Sequence, residues 1–345
     1  MYVRNAWYVA CTADEIAGAP LGRTICGQRM VLFRSEGGAI AALEDFCPHR
    51  GAPLSLGSIR ADGRIVCGYH GLVMGGDGRC VSMPGQRVRP TIRSYPALER
   101  HGFVWVWPGE KSAADPALLH PLPWAESPEW AYAGGLYHVK CDYRLMIDNL
   151  MDLTHETYVH ASSIGQREIE EAAPQTRVEG DSAITSRFMQ NIMPPPFWQA
   201  ALRGNGLADD VPVDRWQICR FNAPSHVMIE VGVAHAGKGG YHAGPEHKAS
   251  SIVVDFITPE TETSHWYFWG MARNFKPQDD ALTATIREGQ GRIFGEDREM
   301  LELQQKNILR HPERKLLMLN IDAGGVQSRR IIDQWLARER QTEAA

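Results

Sequence analysis

The stretch "EDFCPHRGAPLSLGSIRADGRIVCGYHGL", residues 44–72, decides the fold of the first part of the chain. It holds two close pairs of metal-binding side chains, Cys47 with His49 and Cys67 with His70. Each pair, C-x-H and then C-x2-H, places a thiolate and an imidazole on one tight turn. Thiolate sulfur and imidazole nitrogen together are donors for zinc or for iron–sulfur clusters. The stretch therefore predicts a metal centre held by two turns.

Two metal centres suit a set of two cysteines and two histidines. Closed four-coordinate zinc is held by finger or ribbon spacings, in which a C-x-H pair is unusual. A Rieske [2Fe–2S] centre binds one iron through two cysteines and the other through two histidines. The spacing favours the Rieske centre, with zinc as the alternative. Gly51, Gly68 and Gly71 suit tight loops around a cluster.

The sequence around the motif predicts a small all-β domain. Short runs rich in valine, isoleucine and aromatic residues alternate with glycine-containing turns, which is typical of a sandwich or barrel. These runs are "RMVLFR" (29–34), "GAIAALEDF" (38–46), "GRIVCGYHGLVM" (63–74) and "GFVWVWP" (102–108). Residues 109–128 carry four prolines, and their apolar residues recur at neither helical nor strand spacing. This segment therefore predicts a linker. We expect a first domain at 1–115 and a second at 116–345.

Composition excludes several classes of protein. The chain has 345 residues, enough for about two domains, and a net charge of −5, so a nucleic-acid binder is not expected. The first residues lack the apolar core of a signal peptide, and no window reaches the length of a membrane span. Seven cysteines, an odd number in a long chain, indicate a reducing compartment. We expect a soluble cytoplasmic protein in which the five other cysteines are buried.

The second part of the chain predicts an α+β domain. Residues 141–160 lack glycine and proline and predict a helix, whereas 176–192, 214–235 and 249–273 predict strands. Residues 281–309 predict a long helix, because apolar residues recur there at near-helical spacing. Those residues are Ile286, Ile293, Met300, Leu303 and Ile308. An antiparallel sheet followed by a long helix is typical of an α+β layer.

A second metal site is suggested by "MIDNLMDLTHETYVH". His155 and His160 are five residues apart, about 140° of rotation on an ideal helix, so a distortion or a helix end must separate them. Asp152 and Asn149 precede His155 by three and six residues, near one helical face. Asp152 is placed to accept the N–H of a metal-bound histidine. Two histidines and a carboxylate form the facial triad of non-haem Fe(II) oxygenases.

The carboxylate of that triad is not local in sequence. Acidic residues of the later helix are the candidates, and their spacing does not rank them. They are Glu288, Glu296, Asp297, Glu299 and Glu302.

These motifs resemble those of the Rieske non-haem iron oxygenases, and more narrowly of vanillate O-demethylase (vanillate monooxygenase) oxygenase subunits. The resemblance covers nearly the whole chain. It includes "DFCPHRGAPLSLG" and "CGYHGL" at the cluster and "YRLMIDNLMDLTHETYVHASSIGQ" at the iron. It continues through "DRWQICRFNAPSHVMIEVGVAHAGKGG", "DFITPETETSHWYFWGMARNF" and "LNIDAGGVQSRR".

The resemblance implies a role for each matched residue. Cys47 and Cys67 would bind one cluster iron, and His49 and His70 the other. The ligands of the mononuclear iron would be His155, His160 and Asp297.

Three further residues have implied roles near the iron or the substrate, and two histidines of "YHAGPEHKAS" are candidate pocket residues. Asp152 would bridge the two centres, and Asn149 would lie near the iron. Asn222 would hydrogen-bond the substrate, as an asparagine does in dicamba-type relatives, or else it ends a strand. His247, like His242, would line the pocket or else belong to a mobile glycine-rich loop.

The resemblance also implies fold and function. The fold would be an all-β Rieske domain followed by a domain with a curved antiparallel sheet and a long helix (helix-grip, START-like). Vanillate would be demethylated to protocatechuate and formaldehyde by a homotrimer, using O2 and electrons from NAD(P)H. The electrons would pass through a separate reductase with FMN and [2Fe–2S], then from His70 of one subunit to Asp152 and His155 of the next.

Three alternatives remain open at this point. The chain is an electron carrier, a zinc-stabilised binding module, or an oxygenase for another methoxylated or sulfonated aromatic acid of the dicamba or toluenesulfonate type. A carrier leaves about 230 residues without a role. No nucleotide motif is present, and the pair Gly324–Gly325 is not a dinucleotide fingerprint.

Overall fold

The chain divides into two units in the computed structural model, which describes residues 1–85, 87 and 89–344. The first unit comprises Met1–Leu122, Thr258–Glu262 and residues 338–344. The second comprises Pro123–Ile257 and Thr263–Ala337. The expected boundary near residue 115 stays a prediction, and the last residue of the expected range 116–345 lies outside the described residues.

The first unit is built from short strands joined by turns. Within the described residues they are β1 (Tyr8–Thr12), β2 (Leu21–Ile25), β3 (Gln28–Arg34), β4 (Ile40–Glu44), β5 (Ser58–Ile59), β6 (Ile65–Val66), β7 (Val73–Met74), β8 (Cys80–Ser82), β9 (Ser94–Tyr95), β10 (Ala97–Arg100) and β11 (Phe103–Val106).

These strands form three sheets, with the orders β1-β11-β10, β2-β3-β4-β9 and β5-β6-β7-β8. The predicted all-β character is thus confirmed. One cysteine–histidine pair follows β4, and the other lies in the hairpin between β6 and β7. Buried apolar residues of β3, β4, β6 and β7 pack around Cys47 and Cys67. The two cysteines therefore belong to the core of this unit.

Two later segments complete the first unit through specific hydrogen bonds. The main-chain N–H groups of Cys26 and Gly27 donate to the carbonyls of Pro259 and Glu260, at 2.7 and 2.9 Å. Near the end of the chain, the Glu339 carboxylate accepts from the main chain of the N-terminal segment. Because the first unit is assembled from three separate segments of the chain, no single boundary in the sequence divides the two units.

The rest of the chain alternates helices with long strands. In chain order the elements are β12 (Ala131–Val139), α1 (Tyr143–Met151), α2 (Glu156–Val159), α3 (Glu168–Glu171), β13 (Gln175–Glu179), β14 (Ser182–Ile192), α4 (Pro196–Gly204), β15 (Val213–Asn222), β16 (His226–His235), β17 (Lys248–Thr261), β18 (Ser264–Arg273), α5 (Asp280–Arg310) and α6 (Ala323–Ala344).

One seven-stranded sheet organises the second unit, in the order β12-β18-β17-β16-β15-β14-β13. The strand pairs with a described register are antiparallel. The 31-residue helix α5, about 46 Å long, packs on this sheet. The Tyr137 hydroxyl of β12 donates to the Gly291 carbonyl of α5 at 2.7 Å. The predicted α+β fold, an antiparallel sheet with one long helix, is confirmed.

Three details differ from the sequence expectations. The helix expected over 141–160 is interrupted, since α1 ends at Met151 and α2 begins at Glu156. Strand β12 was missed because its Gly-Gly pair weakens the strand pattern. Helix α6 was missed because few apolar residues mark its period, and its glycines 324 and 325 fit close against α1 and β14 rather than around a nucleotide.

The buried face of α5 also differs from the expected one. Met300 and Leu303 are 53% and 51% exposed, whereas Gln290 and Asp297 are buried with Ile293. Polar residues on the inner face of a helix obscure its apolar period, and here they mark a functional surface. Within the described part of the chain, no helix has the length and apolar character to cross a bilayer.

The close approach of α5 to the sheet predicts opposite effects for two glycines of that helix. A Cβ at Gly291 would lie 2.9 Å from the Trp269 ring, whereas a Cβ at Gly289 would meet nothing within 4 Å. Gly289→Ala should raise the free energy of unfolding by about 0.5–1 kcal/mol through helix propensity. Gly291→Ala should lower it by about 1 kcal/mol, because overpacking outweighs the same propensity gain. Chemical denaturation of both variants measures the difference, and equal stabilisation by both would contradict the packing described.

Candidate metal centres and substrate pocket

The two cysteine–histidine loops of the first unit share one main-chain hydrogen-bond pattern. The Cys47 N–H donates to the Ala52 carbonyl at 2.8 Å, and the Gly51 N–H returns to the Cys47 carbonyl at 2.8 Å. The second loop repeats both bonds, from Cys67 to Leu72 at 2.8 Å and from Gly71 to Cys67 at 3.0 Å. Each loop is thus closed on itself, with its cysteine at the base.

Glycine is required at all three expected positions, for two different reasons. Gly51 and Gly71 have φ values of +70° and +72°, which disfavour residues with a side chain. Gly68 lies close to the other loop region, and a Cβ there would approach the Leu56 carbonyl oxygen to 2.8 Å. The glycines therefore set both the loop conformation and the distance between the loops.

The four side chains differ in exposure. Cys47 and Cys67 are buried, whereas His49 and His70 are exposed, with ring centroids 4.6 Å apart. Burial and the neighbouring Cys67 thiol raise the pKa of Cys47. Thiolates at the base and imidazoles at the surface would let a cluster exchange electrons through its histidine side.

The geometry separates a two-iron cluster from a single zinc ion. A tetrahedral zinc about 2.0–2.3 Å from each ligand would draw four donor atoms within about 4 Å of one another. Among the described residues, the one group of three or more such donors within 4.8 Å of one another lies in the second unit. Cys47, His49, Cys67 and His70 do not form such a group, which favours ligands shared between two irons over a single zinc ion.

That convergent group is His155, His160 and Asp297, whose donor atoms all lie within 4.8 Å of one another. The one-turn helix α2 brings the two histidines together, with His155 as its N-cap and His160 as its C-cap. The helix end required by their five-residue spacing is therefore present. Asp297 reaches the same point from the inner face of α5.

The distances among the three side chains suit one metal ion. Asp297 Oδ1 lies 3.1 Å from His160 Nε2 and 3.6 Å from His155 Nε2. Asn149 Nδ2 donates to the same oxygen at 3.1 Å, while the buried Asn149 Oδ1 has no partner among the described residues. Two imidazole nitrogens, a carboxylate and an orphaned amide oxygen form a donor set suited to ferrous iron.

The outer nitrogens of both histidines are fixed. His155 Nδ1 lies 2.7 Å from the main-chain oxygen of Asp152, and His160 Nδ1 lies 2.7 Å from Glu296 Oε2. Such contacts orient ligand imidazoles and leave each Nε2 free for the metal. Burial opposes a charge on His160, but hydrogen bonds from its ring to the carboxylates of Asp297 and Glu296 raise its pKa.

Asp152 acts differently from the local expectation. Its main-chain carbonyl, and not its carboxylate, accepts from His155. The carboxylate accepts from the Thr154 N–H at 2.7 Å, because the chain turns sharply between α1 and α2. The carboxylate thus stabilises the turn that carries the first histidine.

A buried arginine holds that turn from the sheet. Arg187 of β14 donates to the Leu153 carbonyl, to Thr154 Oγ1 at 3.2 Å and to the Ala172 carbonyl at 2.7 Å. No spacing rule in the sequence links residue 187 to residues 153 and 154. Arg187 is therefore a positioning residue that sequence reasoning missed.

A pocket of about 670 Å³, the part open to solvent included, adjoins the three ligands. Its walls are mainly apolar, which suits an aromatic ring. The apolar lining comprises Leu150, Leu153, Ile164, Phe197, Trp198, Ile229, Val231, Val253, Met271, Ile293 and Phe294.

Few polar groups interrupt these walls. Beside the metal ligands, Asn149 and Asp152, the polar lining residues are Glu156, Gln217, Cys219 and Gln290. Behind them, the buried Arg215 faces Glu156, with 3.4 Å between Nη2 and Oε2. Arg215, Gln217 and Cys219 alternate along β15, and this polar period in a central strand is the signal that could have revealed them.

The two expected substrate-binding residues lie elsewhere. Asn222 ends β15, and its Oδ1 accepts from Ser182 Oγ at 2.9 Å. His247 lies in the connection between β16 and β17, 3.8 Å from the Glu246 carboxylate. Neither is among the described residues that line the pocket. Their contact with substrate stays a prediction.

Comparison with protein families matches residues 6–96 to the Rieske [2Fe-2S] domain and residues 139–338 to the vanillate O-demethylase oxygenase C-terminal domain. The chain belongs to the vanillate O-demethylase oxygenase family. It is a Rieske-type oxygenase, with a [2Fe–2S] domain and residues His155, His160 and Asp297 that can bind a mononuclear iron.

Relatives and solved structures agree with this assignment. The chain is 70% identical to a vanillate O-demethylase oxygenase subunit from a Pseudomonas species, over 100% of this chain and 98% of the relative. It is similar to dicamba monooxygenase bound to 3,6-dichlorosalicylic acid, at 34% identity, with a TM-score of 0.90 over 100% and 99% of the two chains. A structure of dicamba monooxygenase with non-heme iron and dicamba is 32% identical, with a TM-score of 0.84 over 99% of each chain.

Glu296 was one of five candidate ligands, and its contact with His160 predicts a supporting role instead. Removing the acceptor of a ligand imidazole typically weakens metal binding about 10–100-fold. Glu296→Ala should therefore lower the affinity of the mononuclear site by that factor, and Glu296→Gln, which keeps an acceptor oxygen, by less. Iron analysis under chelator competition measures both.

Glu288→Ala is the matched control, because Glu288 lies on the same helix with its side chain 79% exposed. Loss of iron from the Glu288 variant as well would show that α5 tolerates no change. The [2Fe–2S] spectrum should be unchanged in all three variants.

Proposed function

We propose that this chain is the oxygenase component of a two-component vanillate O-demethylase. It converts vanillate to protocatechuate and formaldehyde with O2 and electrons from NAD(P)H. One observation carries the proposal: the His155–His160–Asp297 group opens into a mainly apolar pocket. The 70% identity to a vanillate O-demethylase oxygenase subunit supports the choice of substrate.

The reaction balances as an oxidation at the methoxy carbon. One oxygen atom of O2 enters a methyl C–H bond, and the other leaves as water with two electrons and two protons. The resulting hemiacetal breaks its C–O bond to the methyl carbon, giving formaldehyde and the free phenol. Ferrous iron held by His155, His160 and Asp297 supplies the activation of O2 for this chemistry.

The residues around the iron ligands orient them. Asn149 donates to Asp297 Oδ1 and so fixes which carboxylate oxygen faces the histidines. Asp152 couples the mononuclear site to the Rieske centre of a neighbouring subunit. The main-chain oxygen of Asp152 lies 2.7 Å from His155 Nδ1, so the residue adjoins an iron ligand, and the coupling role belongs to its carboxylate.

The pocket walls fit an aromatic acid that enters methoxy group first. The apolar side chains take the ring and exclude water from the site. Gln290 lies seven residues before Asp297 on α5, about 10 Å along the helix. Its side chain is buried and lines the pocket. We assign Gln290 to the substrate carboxylate, which lies meta to the methoxy group and away from the iron.

The partners follow from the chemistry. The motifs of this chain account for iron only, which supports a separate reductase as the electron donor. The resemblance to two-component oxygenases supports NAD(P)H as the electron source and FMN and [2Fe–2S] as the reductase cofactors. The exposed His49 and His70 are the natural entry side. The seven free cysteines of this chain support a reducing, cytoplasmic location for it.

A homotrimer suits the surface of the second unit. Leu316, Leu317, Met318 and Leu319 follow one another after α5 and are 54–82% exposed. An exposed apolar run of this kind marks a contact with another protein surface. We assign it to contacts between subunits of the trimer.

The substrate proposal is tested by formaldehyde release from the purified chain with reductase, NADH and O2. Vanillate should give one formaldehyde and one protocatechuate per O2 consumed. The competing substrates are dicamba-like methoxybenzoates and toluenesulfonate-like acids. Faster turnover of either class than of vanillate would transfer the assignment to that class.

The coupling role of Asp152 predicts a specific defect. Asp152→Asn keeps the main-chain bond to His155 and the size of the side chain but removes the charge. Both metal sites should remain filled, while turnover falls at least about 100-fold. Iron content, the reduced Rieske signal and single-turnover oxidation of that signal are measured together. Normal turnover in this variant would remove Asp152 from the electron route.

A further inference from the structure

Gln217 is a buried amide whose function the reaction does not explain. It lies in the middle of β15, is 2% exposed and lines the pocket beside the metal ligands. Its neighbours in register are Val231, another pocket residue, and Arg187. A glutamine in the centre of a sheet needs partners for both ends of its amide.

One end of that amide is fixed by an anion. Gln217 Nε2 donates to Glu156 Oε1 at 2.6 Å, and Glu156 Oε2 faces the buried Arg215 guanidinium at 3.4 Å. Only the nitrogen of an amide can donate to a carboxylate, so the amide cannot be flipped. Gln217 Oε1 must therefore point away from Glu156.

The other end is unsatisfied. Gln217 Oε1 is buried and has no hydrogen-bond partner among the described residues. A buried acceptor without a donor is costly, and such atoms in a binding pocket are commonly satisfied by the ligand. The oxygen accepts only, so it selects a ligand with a proton to donate.

We propose that Gln217 determines specificity by accepting a hydrogen bond from the phenolic hydroxyl next to the reacting methoxy group. This inference rests on the proposed function. An ionised 4-hydroxy-3-methoxybenzoate has one donor, its hydroxyl, which is ortho to the methoxy group. Gln217 is bonded to Glu156, which follows the iron ligand His155 directly, so it lies at the reacting end of the pocket. Gln290 meets the carboxylate at the other end.

The test compares vanillate with 3-methoxybenzoate, which keeps the carboxylate and the methoxy group but lacks the hydroxyl. Wild-type enzyme should favour vanillate in kcat/KM on the order of 10–100-fold, because 3-methoxybenzoate leaves the buried Gln217 acceptor without a partner. Gln217→Met keeps the length of the side chain and removes the acceptor. It should reduce that preference to within a few-fold, mainly through loss of activity on vanillate.

Gln290→Met is the matched control in the same pocket. Since both substrates carry the carboxylate, this variant should lower kcat/KM for both by a similar factor and leave the preference intact. Equal losses on both substrates in the Gln217 variant would overturn the proposal. Equal kcat/KM of the wild-type enzyme for the two substrates would also overturn the proposal. This measurement uses the wild-type protein alone and so does not depend on whether a variant folds.

The outcomes separate this inference from the proposed function. If the wild-type chain demethylates neither substrate, the proposed function fails. If it demethylates vanillate and 3-methoxybenzoate with equal kcat/KM, the proposed function is supported and the proposed role of Gln217 is wrong. Equilibrium binding of both acids to the wild-type protein, followed by fluorescence, should show the same preference before any turnover.

Discussion

A buried carboxylate, that of Asp297, joins the two parts of the second unit that matter for its chemistry. One of its oxygens lies between His155 and His160 and also accepts from Asn149. These contacts tie α1 and α2 to the long helix α5. A carboxylate so deeply buried is stable only with donors or a cation around it. The metal site and the packing of α5 therefore depend on the same group.

The surroundings of this carboxylate explain why the sheet carries polar residues on its pocket side. Arg187 holds the turn before His155, and Arg215 faces the carboxylate of Glu156. Both arginines come from adjacent central strands, β14 and β15. The sheet thus holds the short segment that carries His155 and His160 in one position. This support fixes the two histidines although the segment itself is not a regular helix.

The sequence was most informative where the ligands are close along the chain. Cys47 and His49, like Cys67 and His70, lie on single loops, so their spacing alone predicted the cluster. The third iron ligand came from the resemblance, because any of five acids on α5 fitted the spacing. Gln217 and Arg187 were missed since their partners lie on other elements. Asn222 matched a motif, yet its nearest bond is to the neighbouring strand.

The single turn of α2 has an evolutionary consequence. Three residues of this turn serve different ends: His155 and His160, at its two caps, are the candidate iron ligands, and Glu156 orients a pocket amide. A substitution of Glu156 that adapts the pocket to another ring substituent would also disturb the turn between His155 and His160. Iron binding would weaken at the same time. Relatives with other substrates are therefore expected to diverge first on the opposite apolar wall, at positions such as Ile229 and Val253. There a side chain can change size without moving a metal ligand.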